Sequence, residues 1–272
     1  MPADIKASAH LHIEDHGGAS RPVVLIHGWP LSGAAWEKQV PALKAAGFRP
    51  ITYDRRGFGQ SDKPTSGFDF DTLSDDLAAL INDLDLDDVT LVGFSMGGGE
   101  VARYVARHGQ DRLHSIIYAA AVPPYMMQTE DNPDGPLTKA KAKEMEDALK
   151  TDRPGFFDQF TKDFFTAGGK LCVSDEDRQI ALALCLQSDQ AAALGCMAAF
   201  GTTDFRKDLK VTTVPTLILH GDSDGIVPFE GSGERTHNAI AGSKLVTIAG
   251  APHGCNVSHA DAFNAALIDF MK

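Results

Sequence analysis

The stretch Gly93-Phe94-Ser95-Met96-Gly97 limits what this chain can fold into more tightly than any other part of it. Val89-Thr90-Leu91-Val92 leads into it with the character of a strand buried on both faces, and the apolar spacing that follows reads as a helix. A serine on so sharp a strand-to-helix turn must hold an unfavourable backbone geometry, and the chain folds back only if the residues two before and two after it are tiny. Gly93 and Gly97 meet that demand. The turn lifts the Ser95 hydroxyl clear of the sheet, and the first amides of the helix, beginning with Met96 N–H, face any negative charge that develops beside it. A glycine-rich turn with a chance serine is the competing reading; strand, both glycines and helix agree against it.

The rest of the chain alternates in the same way. Leu11 and Ile13 suggest a short early strand, and Val23 to Ile26 a strand buried on both faces that stops at His27-Gly28-Trp29-Pro30, where proline lacks a donor. Trp36 to Ala45 has helical spacing, and Arg49 to Tyr53 reads as the next strand. From Leu73 the positions Leu77, Leu80, Ile81 and Leu84 mark a helical face, with Asp71, Thr72 and Ser74 as caps. Further strands are expected at Leu113 to Ala121, Thr216 to His220 and Lys244 to Ile248. Helices are expected near Glu230 to Ala241 and at Ala260 to Met271. Between Tyr125 and about Phe205 no strand-like run occurs, and short helical patterns point to a helical insertion. The economical architecture is an α/β fold, a mostly parallel sheet flanked by helices.

With 272 residues, 43% of them hydrophobic and 23% charged, the chain has the composition of a globular protein with a substantial core. A net charge of −12 and the lack of any basic run longer than Arg55-Arg56 make nucleic acid and anionic membranes poor partners. Met1 to Lys6 lack the charged-then-apolar pattern of a signal peptide, and no apolar stretch approaches the ~20 residues of a membrane span, so a cytoplasmic location is expected. Cys172, Cys185, Cys196 and Cys255 lack CxxC spacing and are expected as free thiols. No metal site and no cofactor are indicated.

A serine hydroxyl is a weak nucleophile at neutral pH, so Ser95 needs a base within hydrogen-bond reach and the base needs an orienting partner. In open α/β sheets such groups gather in loops at the carboxyl ends of strands. Of the ten histidines, His253 sits in a small-residue loop just past the final strand and is read as the base, with His259 a distant alternative. His27 is read as bracing its loop, and His220 as a packed or hydrogen-bonded residue. The acid is either Asp222 or Asp224, which spacing alone does not separate. The loop after Ile26 offers a second oxyanion donor in Trp29 N–H, because Pro30 has none to give. Pro30 either sets where the Trp29 carbonyl points or merely stiffens the turn.

His27-Gly28-Trp29-Pro30, Asp54-Arg55-Arg56-Gly57-Phe58-Gly59-Gln60-Ser61, the Ser95 elbow, Gly221-Asp222-Ser223-Asp224-Gly225-Ile226-Val227-Pro228 and Ala251-Pro252-His253-Gly254 together resemble the cofactor-free haloperoxidase and aryl-esterase branch of the α/β-hydrolases. The match spans nearly the whole chain, with a short amino terminus where two antiparallel strands usually lie. The resemblance implies a triad of Ser95, Asp224 and His253, an oxyanion hole from Trp29 and Met96 N–H, and a core of residues 1–122 and 206–272 capped by 123–205. It also implies a serine esterase for small ester substrates, with a perhydrolase and haloperoxidase side activity when hydrogen peroxide replaces water. Haloalkane dehalogenases and epoxide hydrolases, which carry aspartate as nucleophile, are disfavoured by Ser95. A lactone or C–C bond hydrolase on the same triad, and a ligand-binding receptor of this fold, are the remaining alternatives. Pro30, Phe160, Phe164, Phe200, Ile226 and Phe229 are the expected pocket residues, Glu100 is expected to be a solvated helix residue and Cys255 a small buried one. Oligomeric state is left open, with a homo-oligomer allowed.

Overall fold

The computed structural model describes residues 9–272; the Met1 to Lys6 segment read above for a signal lies outside the described residues. Seven strands form one sheet in the order β1-β3-β2-β4-β5-β8-β9, with β1 Ile13–Asp15, β2 Pro22–Ile26, β3 Arg49–Tyr53, β4 Val89–Phe94, β5 Leu113–Ala119, β8 Thr216–Gly221 and β9 Lys244–Ile248. Only β1 runs antiparallel, at the edge beside β3; every other pairing is parallel. All seven expected strands are present. The central β4 is buried along its whole length, which is why it reads as a continuous apolar run instead of an alternating one.

Helices α1 (Gln39–Ala45), α2 (Phe70–Asp83), α3 (Met96–His108), α8 (Arg206–Leu209), α9 (Gly233–Ala239), α10 (Cys255–Ser258) and α11 (Ala260–Met271) accompany the sheet. Between β5 and β8 lie α4 (Lys139–Thr151), α5 (Arg153–Phe164), α6 (Asp175–Gln187) and α7 (Gln190–Thr202). Among the described residues no single helix is long and apolar enough to cross a membrane.

Several boundaries differ from those expected. The Trp36 to Ala45 stretch is not one helix: a 3-10 turn covers Gly33–Trp36, and α1 starts at Gln39, which puts Pro41 in its first turn where a missing N–H costs little. Helix α2 begins three residues before Leu73, capped by Asp69, whose carboxylate accepts from Thr72 N–H at 2.9 Å. Phe70 thereby extends the buried face by one turn. The Glu230 to Ala241 helix is trimmed to α9. The segment between β5 and β8 does contain strand: β6 (Thr166–Ala167) pairs antiparallel with β7 (Lys170–Leu171). Gly168 and Gly169 join them with φ of 56° and 77°, the two positive values that a tight hairpin turn requires.

Candidate active site

Ser95 follows the last residue of β4 and caps α3 with φ 54° and ψ −118°, a strained conformation that the surrounding chain enforces. A Cβ on Gly93 would meet the Gly97 carbonyl at 2.5 Å, and one on Gly97 would meet the Ile26 carbonyl at 2.5 Å. Both glycines are therefore required for the strand and helix to approach so closely. Ser95 N–H donates to the Ala119 carbonyl of β5 at 2.9 Å, tying the elbow to its neighbouring strand.

Three loops at the carboxyl ends of β4, β8 and β9 bring Ser95, Asp224 and His253 together. Ser95 Oγ lies 2.9 Å from His253 Nε2, and His253 Nδ1 lies 2.6 Å from Asp224 Oδ2. Asp224 Oδ1 accepts from Ile226 N–H at 2.9 Å and Val227 N–H at 2.8 Å. With both oxygens held, the carboxylate leaves His253 Nδ1 as donor and Nε2 free to accept from the serine. Burial alone would push the Asp224 carboxyl up; the His253 charge and hydrogen bonds from His220 and His253 outweigh it and hold the group well below the usual carboxylate range. Asp222, the other acid considered, is exposed and accepts from Gly250 N–H at 2.7 Å, well outside this relay.

His220 contributes more than packing. Its Nε2 lies 2.8 Å from the Val227 carbonyl and 3.2 Å from Asp224 Oδ2, so a second imidazole holds the acid's loop. His259 instead contacts Ser258, away from Ser95. Cys255 is buried as expected, and burial, with Asp224 adding to it, pushes its thiol far up and keeps it protonated.

His27 braces its loop through specific contacts. Its Nδ1 lies 2.9 Å from the Gly28 carbonyl, which also accepts from Leu31 N–H at 3.0 Å, and its Nε2 accepts from Arg55 N–H at 3.0 Å. Burial, then the Arg55 charge, hold this imidazole neutral by lowering its pKa well below the usual histidine value. A trans peptide points its N–H opposite to its C=O, so fixing the Gly28 carbonyl fixes Trp29 N–H. The loop also abuts the nucleophile: a Cβ on Gly28 would lie 3.1 Å from that of Ser95. The Trp29 indole donates to the Ala193 carbonyl of α7 at 2.9 Å and meets Phe156, Phe157, Phe160 and Phe200 edge-on.

Glu100 is not solvated. It is fully buried on α3, where Arg55 Nε donates to its Oε1 at 2.5 Å and Tyr53 hydroxyl to its Oε2 at 2.7 Å. Arg55 also donates to the His27 carbonyl at 2.7 Å, so one guanidinium ties the helix behind the nucleophile to the loop in front of it. Glu100→Ala would leave this guanidinium buried without its counter-ion, and is expected to destabilise the fold by about 3 to 5 kcal/mol. Urea denaturation measures it; a change below about 1 kcal/mol, the size of a surface pair, would show that the burial carries no such demand.

A cavity of about 60 Å³ opens over Ser95 and His253, walled by Trp29, Phe160, Phe200 and Ile226. Val122, Met126, Leu137, Met145 and Val227 complete its walls and were not singled out from sequence. Two larger cavities, of about 310 and 470 Å³, share Leu137 and Met145 with it and contain neither Ser95 nor His253. Three expected pocket residues lie elsewhere. Phe164 packs edge-on to the His253 ring at 5.1 Å, Phe229 does the same to His220 at 5.7 Å, and Pro30 is buried in its turn without bordering the cavity.

Comparison with known proteins agrees with this geometry. The α/β hydrolase fold family model matches residues 21–187, and a TAP-like protein model matches 191–272. A non-heme chloroperoxidase of Kitasatospora aureofaciens is 43% identical over 94% of this chain and 94% of its own length. A bifunctional esterase/perhydrolase of Acinetobacter calcoaceticus is 36% identical over 98% of both. The crystal structure of a bromoperoxidase from Bacillus anthracis superposes with a TM-score of 0.95 at 51% identity, covering 98% of this chain and 96% of that one. Fold, nucleophile elbow and relatives agree: the chain belongs to the α/β-hydrolase fold family, is a hydrolase, and falls among its non-heme haloperoxidase members.

Proposed function

We propose that this protein is a serine esterase for small carboxylic esters, aryl esters among them, with a perhydrolase and cofactor-free haloperoxidase side activity. The observation that carries the reading is the unbroken relay from Ser95 Oγ through His253 to Asp224 at the floor of a small apolar cavity. Ser95 attacks the ester carbonyl while His253 Nε2 takes its proton, and Asp224 holds the imidazolium. Trp29 and Met96 N–H bind the oxyanion. His253 then protonates the leaving alcohol, and water releases the acid. When hydrogen peroxide enters instead of water, the product is a peracid, which oxidises halide without help from a metal. The relative named as an esterase/perhydrolase supports the pairing of these two outcomes, and Pro30, by directing the Trp29 carbonyl, favours the second.

In this reading residues 123–205 form a cap over a core of 1–122 and 206–272, and the Trp29 bond to Ala193 is one place where cap and core meet. The four unpaired thiols suit a reducing cytoplasm.

The cavity's size sets the expected substrate range. Each buried methylene contributes about 0.8 kcal/mol where a pocket accepts it, but an acyl chain growing from Ser95 meets Leu137 and Met145 before it reaches the larger cavities. A panel of p-nitrophenyl esters, run with and without peroxide, is expected to give the highest kcat/KM at short acyl lengths and peracid only when peroxide is present. A maximum at decanoyl or longer would overturn the small-ester assignment.

A further inference from the structure

We propose that Met126 is oxidised to its sulfoxide by the peracid that the enzyme itself makes, so that perhydrolysis ends after a finite number of turnovers. The proposal rests on the perhydrolase activity above. Of the six methionines among the described residues, Met126 and Met145 border the cavity over Ser95, and both also border the 470 Å³ cavity beside it. The 470 Å³ cavity shares five wall residues with the cavity over Ser95, against three for the 310 Å³ one, and peracid that leaves through it passes these two thioethers. Met127 and Met197 border only the 310 Å³ cavity. The two sulfurs differ in access from outside: Met145 is part-exposed on α4, whereas Met126 is only 5% exposed. Solution oxidant thus meets Met145 first, and product formed inside meets both.

None of the four cysteines borders these cavities, so no thiol competes inside them. Cys196 and Cys255 are fully buried and border none of these cavities. Burial pushes the Cys196 thiol up to about 12, and a protonated thiol is a poor nucleophile. A thioether has no proton to lose and reacts with a peracid as it stands. The peroxy O–O bond breaks, its terminal oxygen forms the S–O bond, and the hydroperoxy proton ends on the departing carboxylate. The sulfur is oxidised by two electrons, the peracid is reduced to the carboxylic acid, and all atoms are accounted for. Held beside the acyl-enzyme, the sulfur reacts at an effective concentration far above that of released product. The resulting S=O dipole lies in an apolar cavity with no donor among its side-chain walls but Trp29, already bonded to Ala193, and the Ser95–His253 pair itself. It therefore weakens binding of apolar acyl groups.

The test is peptide mass mapping of wild type turning over an acetyl ester with hydrogen peroxide, against three controls. These are peroxide alone, Ser95→Ala with ester and peroxide, and wild type in preformed peracetic acid at the bulk concentration reached in the first arm. Met126 sulfoxide is expected to rise in proportion to turnovers and to exceed each control by on the order of tenfold. Met145 should be oxidised by preformed peracid as well. In Met126→Leu, activity lost per turnover, normalised to that variant's own initial rate, should fall. Measured peracid with unmodified Met126, or equal Met126 sulfoxide in the preformed-peracid arm, would overturn the proposal. If no peracid forms, the perhydrolase activity itself is refuted and the proposal falls with it.

Discussion

Ser95→Ala is expected to lower kcat for ester hydrolysis by on the order of 10⁶, the loss measured for the nucleophile of another serine hydrolase, while leaving the fold intact. The hydroxyl makes one side-chain contact, to His253, so its removal breaks a single hydrogen bond and leaves that imidazole anchored by Asp224. The strained backbone at this position is set by the β4 and α3 packing and by the bond from Ser95 N–H to Ala119, all of which alanine preserves. Circular dichroism and thermal unfolding should therefore match wild type. A folded variant that keeps more than about a tenth of the rate would remove the covalent mechanism, because residual oxyanion stabilisation and binding alone leave far less than that.

The parts of this molecule that were legible in the sequence are those fixed by local chemistry. The strands β2, β4 and β8 show as apolar runs, because a parallel strand covered on both faces has little room for polar side chains, whereas β9, at the far edge, keeps three of its five residues exposed. Ser95 and His253 stand out because an elbow and a small-residue loop need particular residues at fixed spacing. Glu100 was illegible for the opposite reason. A glutamate in a helix has the composition of a solvated position, and only Arg55, 45 residues away, and Tyr53, 47 away, make its burial tenable. Nothing periodic links these three. The second imidazole on Asp224 was hidden in the same way: His220 ends a strand, and its bond to the acid depends on how the next four residues turn. Phe164 and Phe229 do not border the cavity over Ser95, because their rings rest on His253 and His220 instead. The pairing of β6 with β7 could have been found, because Gly168-Gly169 between short runs is a hairpin signal.

The choice between the two aspartates yields a second large effect. Asp224→Asn is expected to lower kcat by about 10³ to 10⁴, comparable to the same change in another serine hydrolase triad, while Asp222→Asn costs far less. The reason lies in which oxygen does what. Asp224 Oδ1 accepts from two backbone N–H groups, Ile226 and Val227, so an asparagine must place its oxygen there and turn its NH₂ toward His253. A donor now faces His253 Nδ1 across the 2.6 Å contact that held a proton between nitrogen and carboxylate. The imidazole can satisfy it only by moving its own proton to Nε2, the atom that must accept from Ser95. The base is then blocked in the tautomer it adopts, and the negative charge that would stabilise its protonated form is gone. Asp222, by contrast, is exposed and accepts from Gly250 N–H through one oxygen, a role an asparagine oxygen can take over. Steady-state kinetics on the two variants, with urea midpoints to show equal stability, decide the matter; if Asp222→Asn proved the more damaging of two equally stable proteins, the acid would have to be reassigned.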